Sequence, residues 1–269
     1  MRHKQLKKFT NYKNLHRVDI VVLILFPFLA AVLSLIFRAN FLFSMLMFFC
    51  VPAVYLSFRN PIHVKKSMIF TTVLAVPFTF IIDYLAVVDG AWAIQSTFPR
   101  LIALGTTPIE QFVWSFSYVY FVVMYYEHMA DRGNIQKHNQ WFRWLGGGAT
   151  CFLGVFFMLY LKYPDLLKVE YAYLWLGTLL FVLPALLFLA KFTSLLAKFL
   201  KVSAYFFMLS LVYEITALQL NQWWFPGTHF IGWVEIFSLR FPFEELFFWM
   251  IFGAIGVLTY YEFFDDDRK

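Results

Sequence analysis

The chain has 269 residues, 61% of them hydrophobic and only 14% charged, with a formal net charge of +6 and a mean hydropathy of +0.68. A soluble domain carries about a quarter charged residues, so this composition excludes a water-covered globule and makes the bilayer the solvent of the fold. The basic residues are spread over several loops, which argues against nucleic acid as a partner. The aromatic content of 22%, with 36 Phe, has an ordinary reading in lipid-facing Phe and interfacial Trp and Tyr. In a sharper reading, rings surround a long apolar ligand or a carbocation.

Residues 1–17 form a basic N-terminal segment, expected in the cytoplasm. The apolar run that follows is too long for a signal peptide and lacks a small-x-small cleavage site, so the first helix is expected to be retained. A spanning helix needs about 20 apolar residues. Eight segments approach that: Val18–Phe37, Phe41–Phe58 (short enough to be re-entrant), Ser67–Val88, Pro108–Glu127, Leu145–Tyr163, Tyr171–Ala190, Phe199–Leu220 and Phe241–Phe264. Eight spans put both termini on one side. Of the 22 Lys and Arg, 17 fall on that side, and Arg38, Arg100, Lys162, Lys168 and Arg240 fall on the other. The positive-inside rule then places both termini in the cytoplasm. The expected fold is an all-α, polytopic helical bundle, multi-pass in the plasma (inner) membrane, where anionic lipid is a partner of the basic loops. Cys50 and Cys151 lie in apolar runs without ligand spacing and read as small buried hydrophobes.

Residues 18–131 and 141–264 resemble each other. Asp83 and Glu214 each precede a Trp, Trp92 and Trp223, by nine residues. Pro108 matches Pro242, Glu110 matches Glu244, and Tyr125-Tyr126-Glu127 matches Tyr260-Tyr261-Glu262 after a one-residue insertion. Four helices per repeat give both halves the same orientation, related by a pseudo-two-fold axis along the membrane normal.

Ionisable groups at membrane depth are functional candidates: Asp83, Glu110, Glu214, Glu244 and Glu245. Glu110 has a competing role, because Thr107-Pro108-Ile109-Glu110 reads as a capping box with Pro at the first helical position. Phe241 offers no such cap to Glu244. Glu245 lies about 100° further around the helix and faces another neighbour. Glu110 and Glu244 open helices while Asp83 and Glu214 close them, so the two pairs sit in opposite helix-dipole fields. The group is therefore expected to hold both a proton donor and a proton acceptor. Gly146-Gly147-Gly148 reads as a close-packing site, and the six His show no ligand spacing.

Pro108-Ile109-Glu110-Gln111 and Pro242-Phe243-Glu244-Glu245-Leu246-Phe247-Phe248 resemble the repeated motifs of the membrane-integral lycopene cyclase domain. That domain occurs in heterodimeric bacterial and archaeal cyclases and in the fungal cyclase–phytoene synthase fusion. The likeness covers roughly residues 67–131 and 199–264, and departs at Gln111, where the family usually has a second acid. It implies redox-neutral cyclisation of the acyclic ψ-ends of lycopene to β- or ε-rings, with a membrane-dissolved carotenoid or other polyprenyl substrate and no metal or cofactor. It makes Glu244 and Glu110 the central pair, with Glu245, Asp83 and Glu214 as further acids. Trp92, Trp223, Trp224, Phe243 and Phe247 become substrate-facing rings. The residues alone also admit a membrane cyclase or isomerase of another polyprenyl chain, a proton-coupled transporter, or a structural membrane protein.

Overall fold

Backbone that crosses hydrocarbon must satisfy its own polar groups, and the computed structural model of the chain is accordingly an all-α polytopic bundle. It describes residues 2–98, 100–131 and 139–264, with backbone alone for 2–15. The basic side chains of Arg2, Lys4, Lys7, Lys8, Lys13, Arg132, Lys137, Arg268 and Lys269, which enter the charge split, lie outside the described residues.

Among the described residues, six helices are long and apolar enough to cross a membrane: the His16–Ile36 part of α1 (Arg2–Ile36), α2 (Phe41–Arg59), α3 (Pro61–Asp89), α5 (Phe142–Lys162), α6 (Ala172–Lys191) and α7 (Thr193–Gln219). The α2 run is long and apolar enough to be a span. Helix α8 comes in two pieces, Glu245–Ile251 and Gly253–Phe264, bent by 43°, and counts as a seventh span if the pieces act as one. The remaining expected segment is α4, Ile109–Tyr125, which runs on into a π turn at Tyr126–Asp131. It is not among the six. Its residues Ser117 to Met124 are all buried among its neighbours.

Three local expectations are corrected. No capping box forms at Thr107-Pro108, since Pro108 has extended backbone (φ −60°, ψ 146°), ends a strand and makes no side-chain cap. Of the three glycines at 146–148, only Gly146 approaches a neighbour, Val73. Cys151 is exposed on α5 and Cys50 half-buried.

The repeat runs deeper than its motifs. π turns at Leu46–Cys50 and Thr178–Val182, and 3₁₀ turns at Pro61–His63 and Thr193–Leu195, recur 132 residues apart (46 to 178, 61 to 193). A further π turn in α3, Thr79–Asp83, absorbs one residue that the continuous α7 lacks, so the spacing falls to 131 at Asp83 and Glu214. Beyond the last helical turns lie short antiparallel hairpins. In the first, β2 (Ile102–Ala103) pairs with β3 (Thr107–Pro108), Ile102 opposite Pro108. In the second, β5 (Trp233–Ile236) pairs with β6 (Leu239–Pro242), Trp233 opposite Pro242. The second hairpin is three residues longer (102 to 108 against 233 to 242), which takes the spacing to 134 at Glu110 and Glu244. The π turn Glu245–Ile251 then supplies the inserted residue before Tyr261.

The halves meet as a two-fold pair would. At the end bearing the termini, the Tyr126 hydroxyl donates to Glu262, and the Tyr261 hydroxyl to Glu127. Buried Lys66 lies 3.8 Å from Glu127 and 4.8 Å above the Tyr261 ring. At the hairpin end, β1 (Ala93–Ile94) pairs antiparallel with β4 (Trp223–Trp224), Ala93 lying opposite its own equivalent Trp224. Between these ends α1 packs on α7, and its equivalent α5 packs on α3. Tyr126→Phe and Tyr261→Phe each deprive a buried carboxyl of a hydroxyl donor. Each is expected to cost about 1–3 kcal/mol, read as a lower melting temperature in detergent, with the double variant restoring nothing.

Candidate functional site

The nine-residue spacing of acid and Trp has a geometric cause. Asp83 and Glu214 lie within two turns of the ends of α3 and α7, and the chain then folds back so that the indole covers the acid. Trp92 Nε1 donates to Asp83 Oδ1 at 2.9 Å, and Trp223 Nε1 donates to Glu214 Oε1 at 3.1 Å. The other oxygens, Asp83 Oδ2 and Glu214 Oε2, are buried without a hydrogen-bond partner. An indole N–H only donates. The oxygen it touches must accept, and in a neutral acid the proton sits on the free oxygen.

Asp83 opens onto a cavity with about 1160 Å³ of unfilled space, its mouth included. Its polar wall also holds Gln111 and Glu245, which are sequence equivalents, and Thr79 and Ser115. The rest is apolar and mostly aromatic, including Trp92, Trp114, Tyr118, Tyr213, Trp223 and Trp249. The Tyr173 hydroxyl donates to Glu245 Oε2 at 2.6 Å. Its ring meets Trp92 edge-on at 5.2 Å, as Phe41, 132 residues earlier, meets Trp223 at 5.9 Å. Glu245 and Glu214 lie close enough to repel when both are charged.

The expected central pair lies elsewhere. Glu110 accepts from the Thr97 and Phe98 backbone N–H groups at 2.6 and 2.8 Å and from Ser96. Glu244 accepts from Ile231 N–H at 2.7 Å. Both carboxyls anchor the loop that precedes their hairpin, thirteen residues back, and neither lines the cavity. Among the expected rings, Trp92 and Trp223 line the cavity. Trp224, Phe243 and Phe247 do not; Phe243 stacks on Phe247 at 5.8 Å outside it. Tyr173, Tyr213, Trp114 and Trp249 sit in apolar runs with no motif to mark them. The equivalences of Tyr173 with Phe41 and of Trp114 with Trp249, 135 residues apart, carried the signal.

Among the described residues one His and Asp group has its ligand atoms within 4.8 Å of one another, His16, Asp19 and His128. Asp19 is already held by Arg59 through both oxygens, at 2.8 and 3.0 Å, and by Tyr55. The group is therefore a charge-balanced clasp between α1, α2 and α4, and it does not line the cavity. No protein-family model, curated protein or solved structure matches the chain.

Asp89 ties the hairpin end together. Its Oδ2 accepts from Ala172 N–H at 2.8 Å at the start of α6, and its Oδ1 meets His229 Nδ1 at 2.7 Å. That hydrogen bond holds the His229 imidazolium above the ordinary histidine range. Its stabilising contribution is complete below about pH 6.5 and is lost as pH rises through the raised value. The melting temperature is expected to fall on going from about pH 6 to about pH 9, and His229→Gln to remove that slope. Asp89→Ala, which also uncaps α6, is expected to cost about 1 kcal/mol.

Proposed function

We propose that the chain is a membrane carotenoid cyclase, closing a ring at the acyclic ψ-end of lycopene without redox change. The observation that carries this reading is the Asp83 carboxyl, with one oxygen fixed by Trp92 and the other buried without a partner beside an aromatic cavity. A neutral acid so held can present its proton to an alkene bound in the cavity. Asp83 delivers its proton to the terminal double bond, and the next double bond attacks the resulting tertiary cation to form the six-membered ring. Glu245, steadied by Tyr173, removes a proton from the ring and leaves a β- or ε-end. The proton count is unchanged, so the reaction is an isomerisation. Trp92, Trp114 and Trp223 turn π-faces to the cation. Glu214 backs Glu245, and Gln111 takes the place of a second acid beside Asp83. The substrate enters from the lipid phase. We place the protein in the plasma (inner) membrane with both termini cytoplasmic, on the charge asymmetry of its loops.

The bend in α8 beside the cavity favours a second reading, a proton-coupled transporter, since broken helices line many transporter sites. Expression in a lycopene-accumulating host separates the two. The cyclase reading expects cyclic products, lost by about 100-fold or more in Asp83→Asn and Glu245→Gln. Glu110→Gln and Glu244→Gln are expected to lower membrane yield while each folded chain keeps its rate. Unchanged lycopene with well-expressed wild-type protein overturns it.

A further inference from the structure

The duplication predicts two equivalent cavities, one against each half, yet one is open and the other full. We infer that the protein binds a single long apolar chain in one arm, between α3 and α8, and that the equivalent arm between α7 and α4 is closed by Phe206, Tyr118 and Phe49. This deepens the proposed function and rests on its reading of the cavity as an apolar-chain site.

The internal spacing identifies each residue's counterpart. The open arm is lined by Leu74, Phe78, Val257 and Tyr260 and descends from Asp83. At the spacing that precedes the α3 π turn, Leu74 corresponds to Phe206. At the spacing that follows the α8 π turn, Gly253 corresponds to Tyr118 and Gly256 to Phe121. Leu74 and Gly253, which line the open arm, and Gly256 behind it are therefore rings in the other half, while Phe78 of the open arm corresponds to Ser210. Those rings are packed, with Phe49, Phe121 and Phe206 fully buried. Phe206 lies 5.6 Å from Tyr118 and 5.0 Å from Phe121, and Phe49 lies 4.9 Å from Tyr213, between ring centroids.

The glycines explain how the other arm stays open. A Cβ on Gly256 would lie 2.2 Å from Phe181 Cδ1, so Phe181, the counterpart of Phe49, lies flat against the α8 backbone. A Cβ on Gly253 would lie 2.8 Å from the Tyr118 hydroxyl, so α8 presents bare backbone where α4 presents that ring. The acids diverge in the same sense. Asp83 and Glu245 line the open space, while Glu214, the counterpart of Asp83, does not. A long polyene therefore has one arm to lie in and one acid to meet. Its two ends are treated one at a time, and a second ring requires release and rebinding in reverse.

The test purifies wild type, Leu74→Phe, Phe206→Leu and the exchange Leu74→Phe/Phe206→Leu from lycopene-accumulating membranes. Extracted lycopene and its products are measured per chain, along with the melting temperature. Wild type is expected to carry about one polyene per chain. Leu74→Phe, which fills the open arm, should lower that load by about ten-fold or more. Phe206→Leu, although it loosens the core, should keep the load within about two-fold. The exchange variant conserves volume and carries the test if Leu74→Phe does not fold; it too should lose the load. Wild type carrying two polyenes or none, or Leu74→Phe (or the exchange variant) keeping the full load, overturns the inference. A lycopene load that follows this pattern without cyclic product leaves the one-arm site standing and removes the cyclase reading.

Discussion

A carboxyl group taken into hydrocarbon must bring its hydrogen-bond donors with it, and the interior of this bundle is arranged around that requirement. Asp83 and Glu214 take an indole, Glu245 and Glu127 a phenol, Glu110 and Glu244 backbone amides, and Asp19 a guanidinium. The donors differ in consequence. Amides converging on Glu110 hold a loop in place. Two crossed tyrosines join the halves at the terminal end. A single indole engages one oxygen of Asp83 and leaves the other without a partner beside the cavity.

Much of this was legible in the residues, in proportion to how local the cause was. Low charge and long apolar runs announced the bundle, and the spans agree with them to within a few residues except for α3 and α7, which start about six residues early. The acid–Trp spacing and the Tyr-Tyr-Glu closures marked real pairings, but their form was not readable. Nothing local says that Tyr126 reaches Glu262 rather than its neighbour Glu127. The capping box failed because Pro108 belongs to a hairpin, so Glu110 turned back to the loop. That moved the cavity-facing role one residue on, to Gln111 and Glu245, about 100° around the helix. Tyr173 was invisible because its role depends on Trp92, which another helix brings to it.

π turns explain why the repeat looked weaker than it is. The unmatched ones in α3 and α8 each shift the numerical spacing by one residue while leaving the helices in register, and the longer second hairpin shifts it by three, so an ungapped comparison of the halves loses step three times. With those steps allowed, the leading helices align as well, through Val51-Pro52-Ala53 and Leu183-Pro184-Ala185 behind matching π turns. The scaffold has stayed symmetric while its filling has not. Rings have accumulated in one arm and glycine in the other, a division open to a fused duplication because each copy is free to specialise.

The exchange of helices between the halves also sets a schedule for making the protein. Helix α1 packs on α2, which follows it in the chain, and on its later neighbour α7, where Tyr205 donates to the Leu23 carbonyl across 182 positions of chain. At about 5–20 residues per second of synthesis, the first helix waits roughly 10–40 s in the bilayer before that neighbour emerges. Through that interval its companion in lipid is α2, which holds Asp19 by Arg59 and Tyr55.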